Sequence, residues 1–376
     1  MLPAWFESGE NLMPLRVFVV LAGLICSTAV QSQSTIDELV EQAGVKAGNV
    51  AMRDFTGWRE PKKIVIRDIG LPLDDIRAML PGIEVIGVRS DTEAVANAGA
   101  ADAVIGWCSD PLIAAAENAV WVQIFSAGAE RCLSVDRIAD KSVVLTNMQK
   151  MSSPVIAEHV IAMTLSLARG LPQFAKGMHS GEWRRGPGIT DGMQSIAGKT
   201  MLVVGLGGIG TEVARRAAAL DMRVLGTRRS SREGPEFVAY VGLSGELHEL
   251  AVEADFIVNA LPLTAETTGI FDEEFFSAAK RGAHFINVGR GRSVVTNDLV
   301  AALMSGQIAG AALDVTEPEP LPADHPLWRM DNVIITPHVS SRGGNLARHS
   351  MLLMENLRRF VAGDALLNVV DPELGY

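Results

Sequence analysis

One short run limits the fold of this 376-residue chain more than any other: Gly205-Leu206-Gly207-Gly208-Ile209-Gly210, a G-x-G-x-x-G pattern. It lies between an apolar stretch predicted as a strand over 201–205 and a helical pattern over 211–220. In that setting Gly205 allows a tight turn, Gly207 lets the backbone approach a pyrophosphate, and Gly210 lets helix pack on strand. The helix start then offers unpaired N–H groups, at the positive end of its dipole, to an anion. An isolated pattern of this kind could be an ordinary glycine turn, but a further predicted strand at 223–227 makes it a β-α-β unit. The expectation is a dinucleotide site on a parallel sheet.

The rest of the chain keeps the rhythm. Strands are predicted at 256–260, 284–288, 310–315 and 333–335, with helical patterns at 272–280 and 298–304, which completes a six-stranded doubly wound sheet. Upstream, short apolar runs at 62–66, 83–88, 103–105 and 121–125 alternate with helical spacing such as 72–80, implying a second parallel sheet covered on both faces. Ser153-Pro154 opens a long apolar helical segment, 155–167, that reads as a bridge and ends near Gly170 and Pro172; 177–198 reads as a loop. The fold class is therefore α/β: two Rossmann-like or flavodoxin-like doubly wound parallel sheets with a cleft between them.

Composition narrows the partners. A formal charge of -11 without a basic block argues against nucleic acid. Cys26, Cys108 and Cys132 show no CxxC or Cys/His spacing, so the expectation is separate buried thiols, with no disulfide framework and no metal. At the other extreme of polarity, residues 13–29 carry one basic residue, Arg16, then an uncharged apolar run and small residues, the order of a signal peptide. The apolar run is too short for a permanent membrane anchor. From there to about Pro61 the chain reads as polar and flexible.

The tip of the second strand of the β-α-β unit reads Thr227-Arg228-Arg229-Ser230. An acid there would bind the ribose 2′-OH of NAD. Two guanidinium groups and two hydroxyls suit a 2′-phosphate instead, so NADP is favoured over NAD. Hydride transfer to a 2-oxo acid needs a cation for the carboxylate and ketone, an acid to protonate the alkoxide, and a group that orients that acid. Arg290, Glu319 and His338 all follow predicted strand ends, where open α/β sheets bind ligands. His325 is the rival base. His159 reads as structural, Trp183 and Trp328 as core, and Thr296-Asn297 as a helix cap.

These segments resemble the D-isomer-specific 2-hydroxyacid dehydrogenase family, which includes glyoxylate/hydroxypyruvate reductases and phosphoglycerate dehydrogenases. The resemblance rests on the glycine run, Leu261-Pro-Leu-Thr264 with Glu266-Thr-Thr-Gly269, Asn287-Val-Gly-Arg-Gly291, Leu313-Asp-Val315 with Glu319-Pro320, and Thr336-Pro-His338. It implies that Arg290 binds the substrate carboxylate and carbonyl oxygen, His338 acts as general acid and base, and Glu319 hydrogen-bonds His338. It further implies that backbone N–H groups of Ser126-Ala127-Gly128 grip the substrate carboxylate. Asp314 would hold the nicotinamide amide, with Leu261, Pro262 and Val288 lining the cofactor cleft. By the same resemblance, 61–151 plus 341–376 form a substrate domain, 152–340 an NAD(P)-binding domain, and 1–60 a leader and flexible segment. A homodimer through 155–167 is implied too. Two alternatives stay open: a nucleotide-sensing regulator of the same fold without turnover, and a relative acting on formate or phosphite. Location is divided, since the leader suggests export and the cofactor suggests cytoplasm.

Overall fold

The computed structural model describes residue 40 and residues 43–186, 190–344 and 346–375. The signal-like segment 13–29 and Cys26 lie outside the described residues. Two sheets organise the rest, and every strand pairs in parallel with its neighbours.

The first sheet contains β1 (Lys63–Arg67), β2 (Glu84–Val88), β3 (Ala103–Ile105), β4 (Trp121–Gln123) and β5 (Val144–Thr146), in the order β2-β1-β3-β4-β5. Its strands are apolar on both faces because both are covered. Ile64 and Ile66 pack on one side with Trp121 and with Leu353, Leu357 and Phe360 of the C-terminal helix Leu346–Ala362. Val65, Val104 and Val122 pack on the other.

The second sheet contains β6 (Thr200–Val204), β7 (Arg223–Arg228), β8 (Tyr240–Leu243), β9 (Phe256–Asn259), β10 (Ala283–Asn287), β11 (Ile308–Leu313) and β12 (Val333–Ile335). Their order is β12-β11-β10-β9-β6-β7-β8. Alternation along β6 divides the core into two layers: Leu202 and Val204 face the Phe271–Phe275–Phe285 cluster, while Met201 and Val203 face the helix Ser153–Ala168. The chain runs outward from β6 through β8 and then restarts at β9 on the other side. The strand order therefore reverses between β6 and β9, the position at which doubly wound sheets bind ligands beyond their carboxyl ends.

Several expectations need correction. The sheet has seven strands because β8 was not visible as a strand; like β5 it is a short edge strand, which carries little apolar signal. The bridging helix is stopped by Gly170 in the left-handed region, φ 61°, and Pro172 then sits in the first turn of a new helix, Leu171–Ser180, which had not been expected and whose last turn runs into the loop expected over 177–198. Trp183 is 94% exposed and Trp328 50%, so neither is core. Thr296 caps nothing; its hydroxyl donates to the Glu317 carbonyl.

Cys108 and Cys132 are not separate thiols but a disulfide, with Cα atoms 5.4 Å apart. They are 24 residues apart in sequence, yet one follows β3 and the other follows β4, and those strands are neighbours. Of the stretch expected to be flexible, the described residues 43–60 are docked rather than loose: Val45 and Met52 are buried, and the Gly48 N–H donates to the Leu366 carbonyl at 2.7 Å. Among the described residues no helix is long and apolar enough to cross a membrane.

Candidate active site

The glycine run forms the turn between β6 and the helix Gly208–Ala218, at the reversal point of the sheet. Gly205 has φ 96°, and a Cβ on Gly210 would stand 2.0 Å from the Gly205 carbonyl oxygen, so neither position accepts a side chain. Thr227, expected to meet a phosphate, is buried, and its hydroxyl accepts from the Gly205 N–H at 3.1 Å. Its side chain therefore holds the turn from inside. Arg228 ends β7, with Arg229 and Ser230 exposed beyond it. The Arg228 Nε is buried and has no hydrogen-bond partner. A buried cationic donor without an acceptor fits an incoming phosphate, and the start of the helix Gly208–Ala218 offers its first N–H groups to another. Leu261 and Pro262 follow β9, with Leu261 against Gly205, and Val288 lies buried after β10.

Arg290, Glu319 and His338 follow β10, β11 and β12, three adjacent strands. Their loops are tied together. A Cβ on Gly291 would meet the Thr316 carbonyl oxygen at 1.9 Å, which places the loops after β10 and β11 in direct contact. His338 Nδ1 lies 2.7 Å from Glu319 Oε1. An ionised carboxylate can only accept, so Nδ1 carries the hydrogen and Nε2 is the ring nitrogen left for chemistry. The His338 backbone is in the left-handed region, φ 53°, and its N–H donates to the Asp314 carbonyl.

Asp314 fixes that unusual backbone. Its buried carboxylate accepts from the Thr336 hydroxyl at 2.6 Å, the Val339 N–H at 2.9 Å and the Ser340 N–H at 3.0 Å. Burial alone would raise this carboxyl, but hydrogen bonds from Ser340, Thr336 and Val339 outweigh it and hold the group below the ordinary carboxylate range. His159, on the bridging helix, joins the same cluster through Thr336 Oγ1 at 3.1 Å. His325 instead begins the short turn Pro326–Arg329, where its ring accepts from the Leu327 N–H.

Arg290 reaches the loop that follows β4 of the first sheet. Its Nε donates to Glu130 Oε1 at 2.9 Å and its Nη1 to the Gly289 carbonyl at 2.7 Å. Nη2 would lie 1.8 Å from a Cβ on Gly128, so the missing side chain there makes room for the guanidinium. Ser126 and Ala127 are exposed in this loop, which Asn147 braces by donating to the Ala127 carbonyl. The carboxyl ends of the two sheets thus meet at Arg290.

Sequence reasoning missed the group that orients Arg290. Asn259 and Asn287 sit opposite each other at the ends of β9 and β10. The Asn259 amide donates to Asn287 Oδ1 at 2.9 Å and Ser293 Oγ at 2.7 Å, while Asn287 Nδ2 and Ser293 Oγ both donate to the Arg290 carbonyl. A visible signal existed: each asparagine ends a buried, largely apolar strand, where an amide needs a specific partner. Glu130 carried no such mark.

Residues 161–340 match the family model for the NAD-binding domain of D-isomer specific 2-hydroxyacid dehydrogenases. The glyoxylate reductase/hydroxypyruvate reductase of Mus musculus is 35% identical over 260 residues, 68% of this chain and 78% of the relative. Among solved structures, a D-isomer specific 2-hydroxyacid dehydrogenase from Xanthobacter autotrophicus with NADPH and MES matches at TM-score 0.72 and 30% identity, over 85% of this chain and 100% of that one. The NADPH-dependent glyoxylate/hydroxypyruvate reductase of Sinorhizobium meliloti, with NADP and sulfate, matches at TM-score 0.72 and 29% identity, over 84% of this chain and 100% of that one.

Proposed function

Because the chain belongs to the D-isomer specific 2-hydroxyacid dehydrogenase family, we propose that it reduces small 2-oxo acids to D-2-hydroxy acids, with NADP favoured over NAD. The observation that carries this is the His338–Glu319 pair with Arg290, on three consecutive strand ends of the sheet that bears the glycine turn. The bound dinucleotide supplies the hydride or accepts it.

The chain's own residues do the rest. Arg290 holds the substrate carboxylate and polarises the 2-oxo group, with the backbone N–H groups of Ser126, Ala127 and Gly128 gripping the carboxylate from the facing loop. His338 donates a proton from Nε2 to the developing alkoxide, and takes one in the reverse direction. Glu319 fixes the ring through Nδ1 and opposes the charge of the imidazolium. Asp314 anchors the loop that carries His338 and borders the nicotinamide amide. Gly205, Gly207, Gly208, Ile209 and Gly210 take the pyrophosphate, Arg228, Arg229 and Ser230 the 2′-phosphate, and Leu261, Pro262 and Val288 line the cofactor. Residues 61–151 plus 341–376 serve as substrate domain and 152–340 as nucleotide domain. The protein works as a homodimer, which light scattering checks.

The deciding experiment follows NADPH oxidation at 340 nm with glyoxylate, hydroxypyruvate and bulkier 2-oxo acids, in wild type and His338→Ala. Turnover that His338→Ala abolishes is expected. Tight NADPH binding without turnover on any of these acids would overturn the enzymatic reading in favour of a nucleotide sensor.

A further inference from the structure

Arg67 closes β1, the second strand of the first sheet, and its charge has no counterpart there. The register pairs Ile66 with Ile105 and Ile105 with Gln123, so Arg67, Gly106 and Ile124 come level at the carboxyl edge of three adjacent strands. Ser126 follows two residues after Ile124, at the start of the loop that receives Arg290. A Cβ on Gly106 would stand 2.4 Å from Arg67 Cβ, 3.2 Å from Arg67 Cδ and 3.0 Å from Phe125 Cε2. The space left bare at Gly106 therefore takes both the arginine stem and the ring of the residue before Ser126, and the stem runs from β1 across the end of β3 toward β4.

The guanidinium carbon of Arg67 lies 4.9 Å from the centre of the Trp107 ring. Among the described residues this half-buried guanidinium takes part in no hydrogen bond and no ion pair. The carboxylate of Asp68, next to it in sequence, accepts instead from the Gly70 N–H at 3.1 Å and from Arg89 Nε at 3.3 Å. A ring face holds a guanidinium flat but satisfies none of its N–H donors. The ring is itself anchored to the site, because the next residue, Cys108, is bonded to Cys132 in the segment after β4. That segment also carries Gly128 and Glu130, which face Arg290.

We propose that Arg67, held flat on Trp107, binds a second anionic group at the far end of the substrate, so that the enzyme selects 2-oxo acids whose side chain ends in a carboxylate or a phosphate. The proposal rests on the 2-oxo acid reductase reading given above. Strands β1 and β4 are separated by β3, which puts the end of β1 roughly 10 Å from the end of β4. The arginine stem, already over Gly106, closes part of that distance. What remains suits an extended diacid held at one end by Arg290 and the Ser126–Gly128 loop, whereas glyoxylate has no side chain with which to reach. A guanidinium offers paired donors that match either a carboxylate or a phosphate.

The test compares kcat/KM, with NADPH, within two matched pairs of acids: 2-oxoglutarate against 2-oxopentanoate, and 3-phosphohydroxypyruvate against hydroxypyruvate. Wild type is expected to prefer the acid with the distal anion by about tenfold or more in at least one pair, the scale of one charge-assisted hydrogen bond, and the pair that responds tells carboxylate from phosphate. Arg67→Met should remove that preference, mainly through KM, while the acid without the distal anion changes less than about twofold. Arg67→Lys should keep part of it. No preference in either pair of wild type, or an equal loss on both members in Arg67→Met, would overturn the proposal. Should Arg67→Met fail to fold, Arg67→Lys decides: the charge stays but the paired donors go, so the preference should fall about threefold, and an unchanged preference refutes the assignment. Turnover of 2-oxopentanoate and hydroxypyruvate without preference defeats this inference alone, whereas no turnover of any acid, glyoxylate included, defeats the reductase reading and this inference with it.

Discussion

Replacing Gly128 with alanine tests whether Arg290 must lie against the loop after β4. The new Cβ would stand 1.8 Å from Arg290 Nη2, 2.6 Å from Glu130 Oε2 and 3.0 Å from Arg290 Cζ. Ordinary contact needs roughly 3.5 Å, so the guanidinium must retreat by about 1.5 Å or more. The obstruction is the far end of a flexible side chain, so the fold has an inexpensive way to yield and stability should change by less than about 1 kcal/mol. Catalysis has no such escape, because a displacement of about 1 Å at a positioning group costs about 100-fold. The expected result is kcat/KM for glyoxylate down about 100-fold, with the urea midpoint and NADPH affinity near wild type. Steady-state kinetics at saturating NADPH, with calorimetry for cofactor binding, reads both quantities. A Gly128→Ala enzyme within threefold of wild type would refute the assignment of Arg290 to substrate and the need for its approach to Gly128.

Glu319→Gln keeps an acceptor for His338 Nδ1–H but removes the charge at 2.7 Å, and kcat should fall about 10- to 100-fold with KM little changed; an unaltered kcat would remove Glu319 from the mechanism. His284 is buried, stacks on Phe256 at 5.0 Å, and burial pushes its imidazole down to about 4 from an ordinary 6.5, against the opposing pull of Asp255. The unfolded chain therefore takes up this proton first as pH falls, and stability drops by about 2 kcal/mol between pH 7 and pH 5. Urea midpoints at the two pH values should show that loss in wild type and a smaller one in His284→Gln, and identical slopes would count against it. The Cys108–Cys132 bond spans 24 residues, so chain entropy alone gives it roughly 3 kcal/mol. Dithiothreitol should lower the melting temperature of wild type by several degrees and leave the Cys108→Ser/Cys132→Ser double variant unmoved, whereas an equal response of both would show that the bond contributes nothing.

Much of the second sheet was legible along the chain because its information is local. Buried parallel strands read as continuous apolar runs, and the predicted strand at 333–335 coincides with β12. The glycine turn was legible for the same reason: a left-handed φ at Gly205 and the absence of space at Gly210 are demands that neighbouring residues impose. Candidate residues at strand ends also follow from order alone, since parallel strands place every carboxyl end on one edge.

Contacts between distant segments were a different matter. The Cys108–Cys132 bond depends on β3 and β4 being neighbours, the Glu130–Arg290 ion pair joins residues 160 positions apart, and Lys150 meets Gly208 only because the segment between β5 and the helix Ser153–Ala168 folds back over the glycine turn. Such pairs are chosen by strand order and loop path, and side-chain periodicity carries no record of either. The amino-acid pattern therefore settled the class of fold, the phosphate turn and three candidate residues on neighbouring strand ends. What tertiary structure alone decided was which side chain each of them faces, because that depends on distances closed by packing rather than on spacing along the chain.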